Sequence, residues 1–265
     1  MTTLSRLKNL ELRMAATTAE IDAAQALRYR VFYCEMGARG SLETHLAERD
    51  VDRFDAHADH LVVVDLALEA AGSPAVVGCY RLLREQAAAR AGGFYTAQEF
   101  DLSGLEPGGP ILELGRSCIA PAYRSGTVMQ LLWRGISDYL EQHDIALMLG
   151  CASLPGTDPQ ALALPLAYLH GNHLAPPALR PRALPGRYVA TDRLDAAAID
   201  SKEAIRALPP LLKGYLRLGG MIGDGAVIDA DFNTVDVCLV LPTERVQTRY
   251  QRHYAQARAA ALEPA

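Results

Sequence analysis

The sequence has no surplus of basic residues and no paired cysteine motif. Its 26 Lys and Arg residues stand against 31 Asp and Glu residues, which gives a net charge of −5. A protein that binds nucleic acid through the phosphates needs a basic surplus, so we expect no nucleic-acid partner. The five cysteines are far apart and form no CxxC pair, which argues against a zinc framework or a disulfide scaffold and indicates reduced thiols.

The sequence also lacks a long apolar run. The best one, Ala161 to Leu169, is interrupted by Pro165 and is much shorter than the ~18 residues of a membrane span. The first residues carry charges where a signal peptide has its apolar core. We therefore expect a cytoplasmic protein that does not cross a membrane.

The residues that are present indicate a mixed α/β fold. Hydrophobic residues make up 50% and charged residues 22% of the chain, as in ordinary globular proteins. Apolar alternation or short apolar runs predict strands over residues 10–14, 61–68, 75–83, 111–119, 145–151 and 234–241. Apolar spacing and capping residues predict helices over 19–31 and 127–142, from Asp158-Pro159 onward, and at the polar C-terminal end.

Two connecting regions complete this organisation. A polar loop is expected from Gly37 to about Asp59, and Gly72-Ser73-Pro74 predicts the turn between two antiparallel strands. Nine of the fifteen prolines lie between Pro155 and Pro210. We therefore predict one domain over residues 1–265, with a proline-rich insertion at about 155–215.

Several charged residues lie on or beside strands that are otherwise apolar. Arg81, Glu113 and Arg116 occupy strand positions, and Asp52 and Asp55 precede another strand. A buried arginine requires a carboxylate partner. The pattern therefore fits either a salt-bridge network or a polar pocket for a small zwitterion.

The predicted strand, turn and helix between Glu113 and Gln142 could bind an anion. Such a connection points backbone N–H groups and a helix N-terminus toward the same point. Arg124 could contact a phosphate and Gly126 would allow close approach, although an ordinary turn has the same composition.

The histidines do not predict a metal site. His57 and His60, and likewise His170 and His173, have a three-residue spacing, but neither pair has a third ligand in the sequence. Cys118 lies on an apolar strand, which is typical of a buried thiol rather than a nucleophile.

Ordered motifs resemble a known group of enzymes. Four segments, in this order, resemble the acyl-homoserine-lactone synthases, which are GNAT-like N-acyltransferases. They are Leu27-Arg28-Tyr-Arg-Val-Phe32, Asp52-Arg-Phe-Asp55, Val77-Gly-Cys-Tyr-Arg81 and Glu113-Leu-Gly-Arg116. Five further segments resemble more closely the L-ornithine Nα-acyltransferases of ornithine-lipid synthesis. They are Pro121-Ala-Tyr-Arg124, Gly150-Cys-Ala-Ser-Leu-Pro-Gly-Thr-Asp158-Pro, Leu211-Leu-Lys-Gly-Tyr-Leu-Arg-Leu-Gly219, Gly225-Ala-Val-Ile-Asp229 and Phe232-Asn-Thr-Val-Asp236.

This resemblance implies a GNAT-like mixed central sheet flanked by helices. It also implies transfer of a 3-hydroxyacyl group from acyl carrier protein to the α-amine of L-ornithine, giving lyso-ornithine lipid. The catalytic residues that it suggests are Glu113, Arg116 and Tyr168. The substrate-binding residues that it suggests are Arg28, Phe32, Asp52, Asp55 and Arg81.

Each of these residues receives an expected role on the same basis. Glu113 acts as the base, directly or through water, and Tyr168 stands where GNAT enzymes have an acid. The arginines position Glu113 or take the substrate carboxylate. Asp52 and Asp55 are expected to receive the δ-ammonium of ornithine.

The donor is expected to need no separate cofactor, because its phosphopantetheine arm arrives on the carrier protein. Arg124, Ser125, Gly126 and Thr127 match only part of the GNAT pyrophosphate loop, which suits a donor with one phosphate. A basic stretch, Arg180, Arg182 and Arg187 with Arg193, is expected to dock the acidic carrier protein. The same arginines could instead lie in a solvated loop or contact anionic lipid.

Three alternatives remain open from the sequence. The amine could be lysine, or S-adenosylmethionine in an acyl-homoserine-lactone synthesis, and the chain could be a catalytically silent module that binds acylated carrier protein. For the leading hypothesis we also expect peripheral contact with the inner membrane face and a second acyltransferase that O-acylates the product.

Overall fold

One nine-stranded sheet organises the fold in the computed structural model, which describes residues 3–69 and 74–246. Its strands are β1 (Thr3–Leu7), β2 (Leu10–Met14), β3 (Asp59–Asp65), β4 (Val76–Arg84), β6 (Ile111–Ile119), β7 (Leu147–Pro155), β9 (Met221–Ile222), β10 (Val227–Asp229) and β11 (Thr234–Pro242). Their spatial order is β1-β2-β3-β4-β6-β7-β11-β10, and β9 pairs with β11. A second, two-stranded sheet joins β5 (Phe100–Asp101) to β8 (Arg182–Ala183).

Helices cover both faces of the large sheet. The α-helices are α1 (Thr18–Tyr29), α2 (Leu42–Ala47), α3 (Glu85–Arg90), α4 (Thr127–Gln142), α5 (Ala163–His173), α6 (Ser201–Ala207) and α7 (Pro210–Arg217). A π-helix, Arg30–Glu35, continues α1, and 3-10 helices lie at Thr96–Gln98, Pro121–Tyr123, Pro177–Leu179 and Ala196–Ala198.

Alternating side chains on each strand separate the two faces. On β3, Leu61 and Val63 pack into the core that contains α4, whereas Val62 and Val64 pack against Ala24, Leu27 and Val31 on the α1 side. Further along the α1 side, Phe100 of the small sheet packs on Leu147 and Leu149 of β7. Polar residues on the α1 side therefore lie between the sheet and a cover made of α1, the 50–55 loop and the small sheet.

The sheet has an opening between β6 and β7. These strands are parallel and pair only from Ile111–Glu113 to Leu147–Leu149. Beyond that point β6 pairs with β4 and β7 pairs with β11, so in the described chain the two C-terminal halves are not joined to each other. The opening therefore lies in the middle of the sheet rather than at its edge.

Most predicted elements are present, and three predictions need correction. Helix α4 covers residues 127–142 as expected. The supposed polar loop up to Asp59 contains helix α2, whose leucines at 42 and 46 are exposed and so gave no amphipathic signal. Asp158-Pro159 caps a turn instead of a helix, and α5 begins at Ala163. The helix that was expected to end at Val31 continues as a π-helix to Glu35.

Other predictions concern less regular parts of the chain. Residues 155–215 contain α5, α6, the start of α7 and strand β8, and their status as an insertion stays a prediction. The predicted turn around Gly72-Ser73 and most of the predicted C-terminal helix lie outside the described residues. Within the described ranges, no helix combines the length and the apolar character needed to cross a membrane.

Candidate active site

A cluster of three arginines and three aspartates lies on the α1 side of the sheet. We call it the Arg–Asp cluster; its members are Arg28 from α1, Arg81 from β4, Arg116 from β6, and Asp50, Asp52 and Asp55 from the loop before β3. The formal charges of these six side chains cancel.

Arg28 organises the buried side of the Arg–Asp cluster. Its Nη1 and Nη2 donate to the two carboxylate oxygens of Asp55, each at 2.9 Å, and its Nε donates to Asp50 Oδ2 at 2.7 Å. Only 1% of its side chain is exposed. Such a two-pronged pair fixes both geometry and charge.

Arg81 and Arg116 close the other side of the cluster. Arg81 Nη1 donates to Asp52 Oδ1 at 2.6 Å and to Asp55 Oδ1 at 3.1 Å. Arg116 donates to Asp50 Oδ2 and Asp52 Oδ2, each at 3.0 Å. Arg116 lies in a β-bulge opposite Cys79–Arg81 and has a left-handed φ of +51°, a conformation that turns its side chain toward this cluster.

These contacts stabilise the charged forms of the aspartates. Burial alone would raise the pKa of Asp55, but the hydrogen bonds and charge of Arg28, together with the charge of Arg81, hold it well below its usual range. For Asp50, too, the pKa is lowered against burial by the charges of Arg116 and Arg28. Each of the six carboxylate oxygens in the cluster already accepts a hydrogen bond.

The sequence analysis missed Asp50, although it is the residue that links Arg28 to Arg116. The signal in the sequence was its position two residues before Asp52. Both belong to an acidic stretch that could pair with the arginines predicted on helices and strands. The structure does bring the predicted Arg28, Asp52, Asp55, Arg81 and Arg116 together.

Aromatic rings border the Arg–Asp cluster. The Arg116 guanidinium lies 4.7 Å from the ring centre of Phe232 and 4.9 Å from that of Tyr95. Phe32, a predicted substrate residue, makes an edge contact with Phe232 at 5.9 Å. Arginine held over aromatic faces is restricted to one orientation.

Glu113 lies beside this cluster and is 3% exposed. Its Oε1 accepts from the Thr96 backbone N–H at 2.6 Å and from Thr96 Oγ1 at 2.5 Å, while Oε2 accepts from the Tyr95 N–H at 2.9 Å. Burial raises the pKa of Glu113, and the hydrogen bonds from Thr96 and Tyr95 act against that rise. Glu113 therefore positions the 95–96 segment against the sheet as well as standing at the predicted catalytic position.

A second group of acids lies next to Glu113, and the sequence analysis assigned it no role. We call it the acid pocket: Glu99, Cys151, Thr234 and Asp236. One carboxylate oxygen each from Glu99 and Asp236, and the Cys151 Sγ, lie within 4.8 Å of one another. Among the residues that the structure describes, this group has the ligand atoms and spacing that could hold a metal ion. The alternation Thr234-Val-Asp236-Val-Cys238, which places polar residues on one face of a buried strand, was the signal in the sequence.

The electrostatics of the acid pocket are opposite to those of the Arg–Asp cluster. Burial, with a contribution from Asp236, raises the pKa of Glu99 to about 7. Burial likewise raises the pKa of Asp236 to about 6, although Thr234, Ser153 and Arg116 lower it.

The predicted donor residues lie at the start of α4. Gly126 is the N-cap with a φ of +103°, and Ser125 and Thr127 flank it. Arg124 Nη1 and Nη2 pair with the two carboxylate oxygens of Glu35, and its Nε donates to the Ile119 carbonyl at 3.0 Å. A phosphate at this turn would have to displace Glu35 from Arg124.

The remaining predicted residues lie apart from the Arg–Asp cluster. Tyr168 is on α5 and packs against the core on the α4 side of the sheet. Arg182 pairs with Asp224 at 3.0 Å, Arg187 lies 3.5 Å from Glu99, and Arg180 donates to the Ala175 carbonyl. Their catalytic and docking roles stay predictions.

Comparison with known proteins adds independent information. Residues 27–134 match the model of the Acetyltransferase (GNAT) domain. The chain is 49% identical over 254 residues to the L-ornithine N(alpha)-acyltransferase of Brucella abortus (strain 2308), covering 95% of this chain and 90% of that protein. It is 47% identical over 254 residues to the enzyme of the same name from Rhizobium meliloti (strain 1021), covering 95% and 86%.

Among solved structures, an N-acyl amino acid synthase from uncultured soil microbes aligns over 90% of this chain and 93% of its own, at 11% identity and a TM-score of 0.49. The family assignment rests on the sequence relatives, which match almost the whole chain at nearly half of its positions. The chain belongs to the family of L-ornithine N(alpha)-acyltransferases, within the GNAT-type acyltransferases.

Proposed function

We propose that the chain transfers a 3-hydroxyacyl group from acyl carrier protein to the α-amine of L-ornithine, the first step of ornithine-lipid biosynthesis. The observation that carries this proposal is membership of the family over nearly the full chain. The identity of the donor and the roles of individual residues rest on the arrangement around the opening between β6 and β7.

Arg116 is the arginine that we assign to the substrate carboxylate. Of the three clustered arginines it has the most exposed side chain, at 11% against 1% for Arg28 and 2% for Arg81. Arg28 and Arg81 hold Asp55 and Asp52, which in turn keep Arg116 in place. They act as positioning residues in this proposal.

The chemical step begins when the α-ammonium loses a proton, directly or through a water molecule, to Glu113. Its raised pKa, caused by burial, favours proton uptake. The free amine then attacks the thioester carbonyl, and backbone N–H groups of β6 along the opening stabilise the oxyanion. The C–S bond breaks, the proton that the attacking nitrogen still has to lose passes to the leaving thiolate, and Glu113 returns its proton to solvent. The amide and the carrier-protein thiol are the products, with no covalent enzyme intermediate.

The donor arm enters through the opening between β6 and β7. The α4 N-terminus, with Arg124, Ser125, Gly126 and Thr127, receives the single phosphate of phosphopantetheine once Glu35 is displaced. Arg180, Arg182 and Arg187 remain the proposed docking residues for the carrier protein. Arg182 suits this role best because its side chain is 66% exposed.

The product is an amphiphile, so we propose that the protein works at the inner membrane face and hands the product to a second, O-acylating enzyme. Helix α2 supports this location, because Leu42 and Leu46 leave about three quarters of their surface in solvent, at 76% and 77%. Exposed leucines on a short helix can insert into a lipid interface.

A thiol-release assay with 3-hydroxyacyl-acyl carrier protein tests the proposal. Ornithine should support release, lysine and S-adenosylmethionine should not, and Glu113→Gln should lower kcat by about 100-fold or more, the usual contribution of a general base. Glu106→Gln removes an exposed carboxylate and should leave the rate unchanged.

The alternatives make different predictions in the same assay. Release with S-adenosylmethionine would move the chain to the acyl-homoserine-lactone synthases, and release with lysine would change the acceptor. No release with any amine, despite tight binding of the carrier protein, would show a silent binding module. A burst of acylated protein without ornithine would contradict direct transfer.

A further inference from the structure

The acid pocket contains buried oxygens that lack a hydrogen-bond partner. Asp236 is 3% exposed and Thr234 is 2% exposed. Among the described side chains, Asp236 Oδ1 and Thr234 Oγ1 are buried oxygens without a hydrogen bond of normal geometry. Thr234 and Ser153 lie close enough to Asp236 to lower its pKa, but neither donates to its Oδ1 in that geometry. An unpaired buried oxygen costs free energy, so a ligand that supplied a donor here would recover that cost.

The pocket also has more acidic side chains than basic ones. Glu99, Asp236, Glu113 and Asp229 are all buried on this side of the sheet. Among the described residues, one salt bridge involves these four acids: Arg187, whose side chain is 38% exposed, lies 3.5 Å from Glu99. The arginines of the neighbouring Arg–Asp cluster are balanced by its own three aspartates. A cation that entered the pocket would stabilise the ionised forms of these acids.

The pocket offers an ammonium group several acceptors. The Cys151 thiol, whose pKa is raised by burial, donates to Glu99 Oε2 at 3.3 Å. An ammonium group offers three N–H donors, which could reach Asp236 Oδ1, Thr234 Oγ1 and Glu99.

The position of the pocket suits the far end of an amino-acid substrate. Asp236 pairs in register with Ser153, which lies on the half of β7 beyond its ladder with β6. Arg116, proposed above to take the α-carboxylate, is close enough to lower the pKa of Asp236. A substrate that reached from Arg116 to Asp236 would lie across the opening with its α-amine between the two.

We propose that Asp236, Thr234 and Glu99 form the subsite for the δ-ammonium of ornithine and so determine the preference for a cationic side chain. This inference rests on the proposed function. It replaces the role that the resemblance implied for Asp52 and Asp55, because the oxygens of those two residues already accept hydrogen bonds from Arg28, Arg81 and Arg116.

The test compares L-ornithine with L-norvaline, which has the same carbon chain but no δ-ammonium. In the thiol-release assay the unaltered protein should prefer ornithine. Asp236→Asn should lower kcat/KM for ornithine by about 10- to 100-fold, the value of a hydrogen bond to a charged group. It should change kcat/KM for norvaline by less than about threefold, because that substrate makes no such bond.

Two further variants separate binding from folding. Thr234→Val removes one acceptor and should show a smaller loss with the same selectivity for ornithine. Asp65→Asn removes a buried carboxylate that bonds Asn9 and Tyr123 at the other end of the sheet, and it should keep the ornithine preference. Heat-unfolding curves with each amino acid report binding without turnover, and ornithine should raise Tm more than norvaline only when Asp236 is present.

Several outcomes would overturn the inference. An equal loss for both substrates would make Asp236 a base or a structural residue, and an intact ornithine preference in Asp236→Asn would exclude the subsite. Loss of the preference on adding a chelator would show that a metal ion occupies the pocket. If the unaltered protein bound ornithine through Asp236 but released no thiol, the proposed function would fail while the subsite would stand.

Discussion

The Arg–Asp cluster and the acid pocket are neighbouring acidic regions with opposite electrostatics. In the cluster, every carboxylate oxygen meets a donor, and arginine charges lower the pKa of Asp50 and Asp55. In the pocket, burial raises the pKa values of Glu99 and Asp236, and Asp236 Oδ1 has no partner within the described chain. The difference separates a network in which every aspartate oxygen is paired from one that leaves an acceptor for a cationic ligand.

The largest effect is expected from breaking the Arg–Asp cluster. Arg28→Met leaves Asp50 and Asp55 buried without their main partner, so the free energy of unfolding should fall by about 3 to 5 kcal/mol. Urea unfolding followed by circular dichroism measures this change. The matched control is Arg49→Met, because the Arg49–Asp22 pair is largely exposed and its loss should cost at most ~1 kcal/mol. Equal losses in the two variants would contradict the assignment of the cluster to the fold.

A smaller effect, on the pH dependence of stability, is expected from Asp236→Asn. The raised pKa of Asp236, about 6 when folded, means that its neutral form is favoured by folding and that this stability is lost as pH rises from about 4 through about 6. The stability of the unaltered protein relative to Asp236→Asn should therefore decrease by about 2 kcal/mol between pH 4 and pH 7.

This comparison reports the titration of Asp236 together with its effect on Glu99, whose pKa it raises, because the other groups are common to both proteins. Asp229 raises the pKa values of both Glu99 and Asp236, while Arg187 lowers that of Glu99 and Arg116 lowers that of Asp236. The lowered pKa of Asp55 gives a stability that is lost as pH falls, in both proteins alike. A difference that did not change between pH 4 and pH 7 would contradict the raised pKa of Asp236 in the pocket.

The sequence was informative wherever a local pattern matched the tertiary environment. Helix α4 has a regular apolar stripe against the sheet, and its predicted residues 127–142 are confirmed. Helix α2 was missed because its leucines face solvent, so its sequence resembles that of a polar loop. The opening between β6 and β7 could not be predicted, because the sequence of a strand does not show where its pairing with a neighbouring strand ends.

For the site, the sequence identified residues more readily than their partners. Arginines on apolar strands predicted buried carboxylate contacts, and Arg81 and Arg116 do make them. The choice between a salt-bridge network and a ligand pocket depended on how many acceptors remain free, which only the three-dimensional arrangement determines. Asp50 and Asp236 are both buried aspartates, yet both oxygens of Asp50 accept hydrogen bonds, from two arginines and Tyr33, whereas Asp236 Oδ1 accepts none of normal geometry.

A crystal structure of the complex with L-ornithine would test the central claim most directly. The account predicts the δ-nitrogen at hydrogen-bond distance, about 2.7–3.2 Å, from Asp236 Oδ1 and the α-carboxylate on Arg116. The Arg–Asp cluster should be unchanged by the ligand. A δ-nitrogen bound to Asp52 or Asp55, with the acid pocket left without the ligand, would contradict the account.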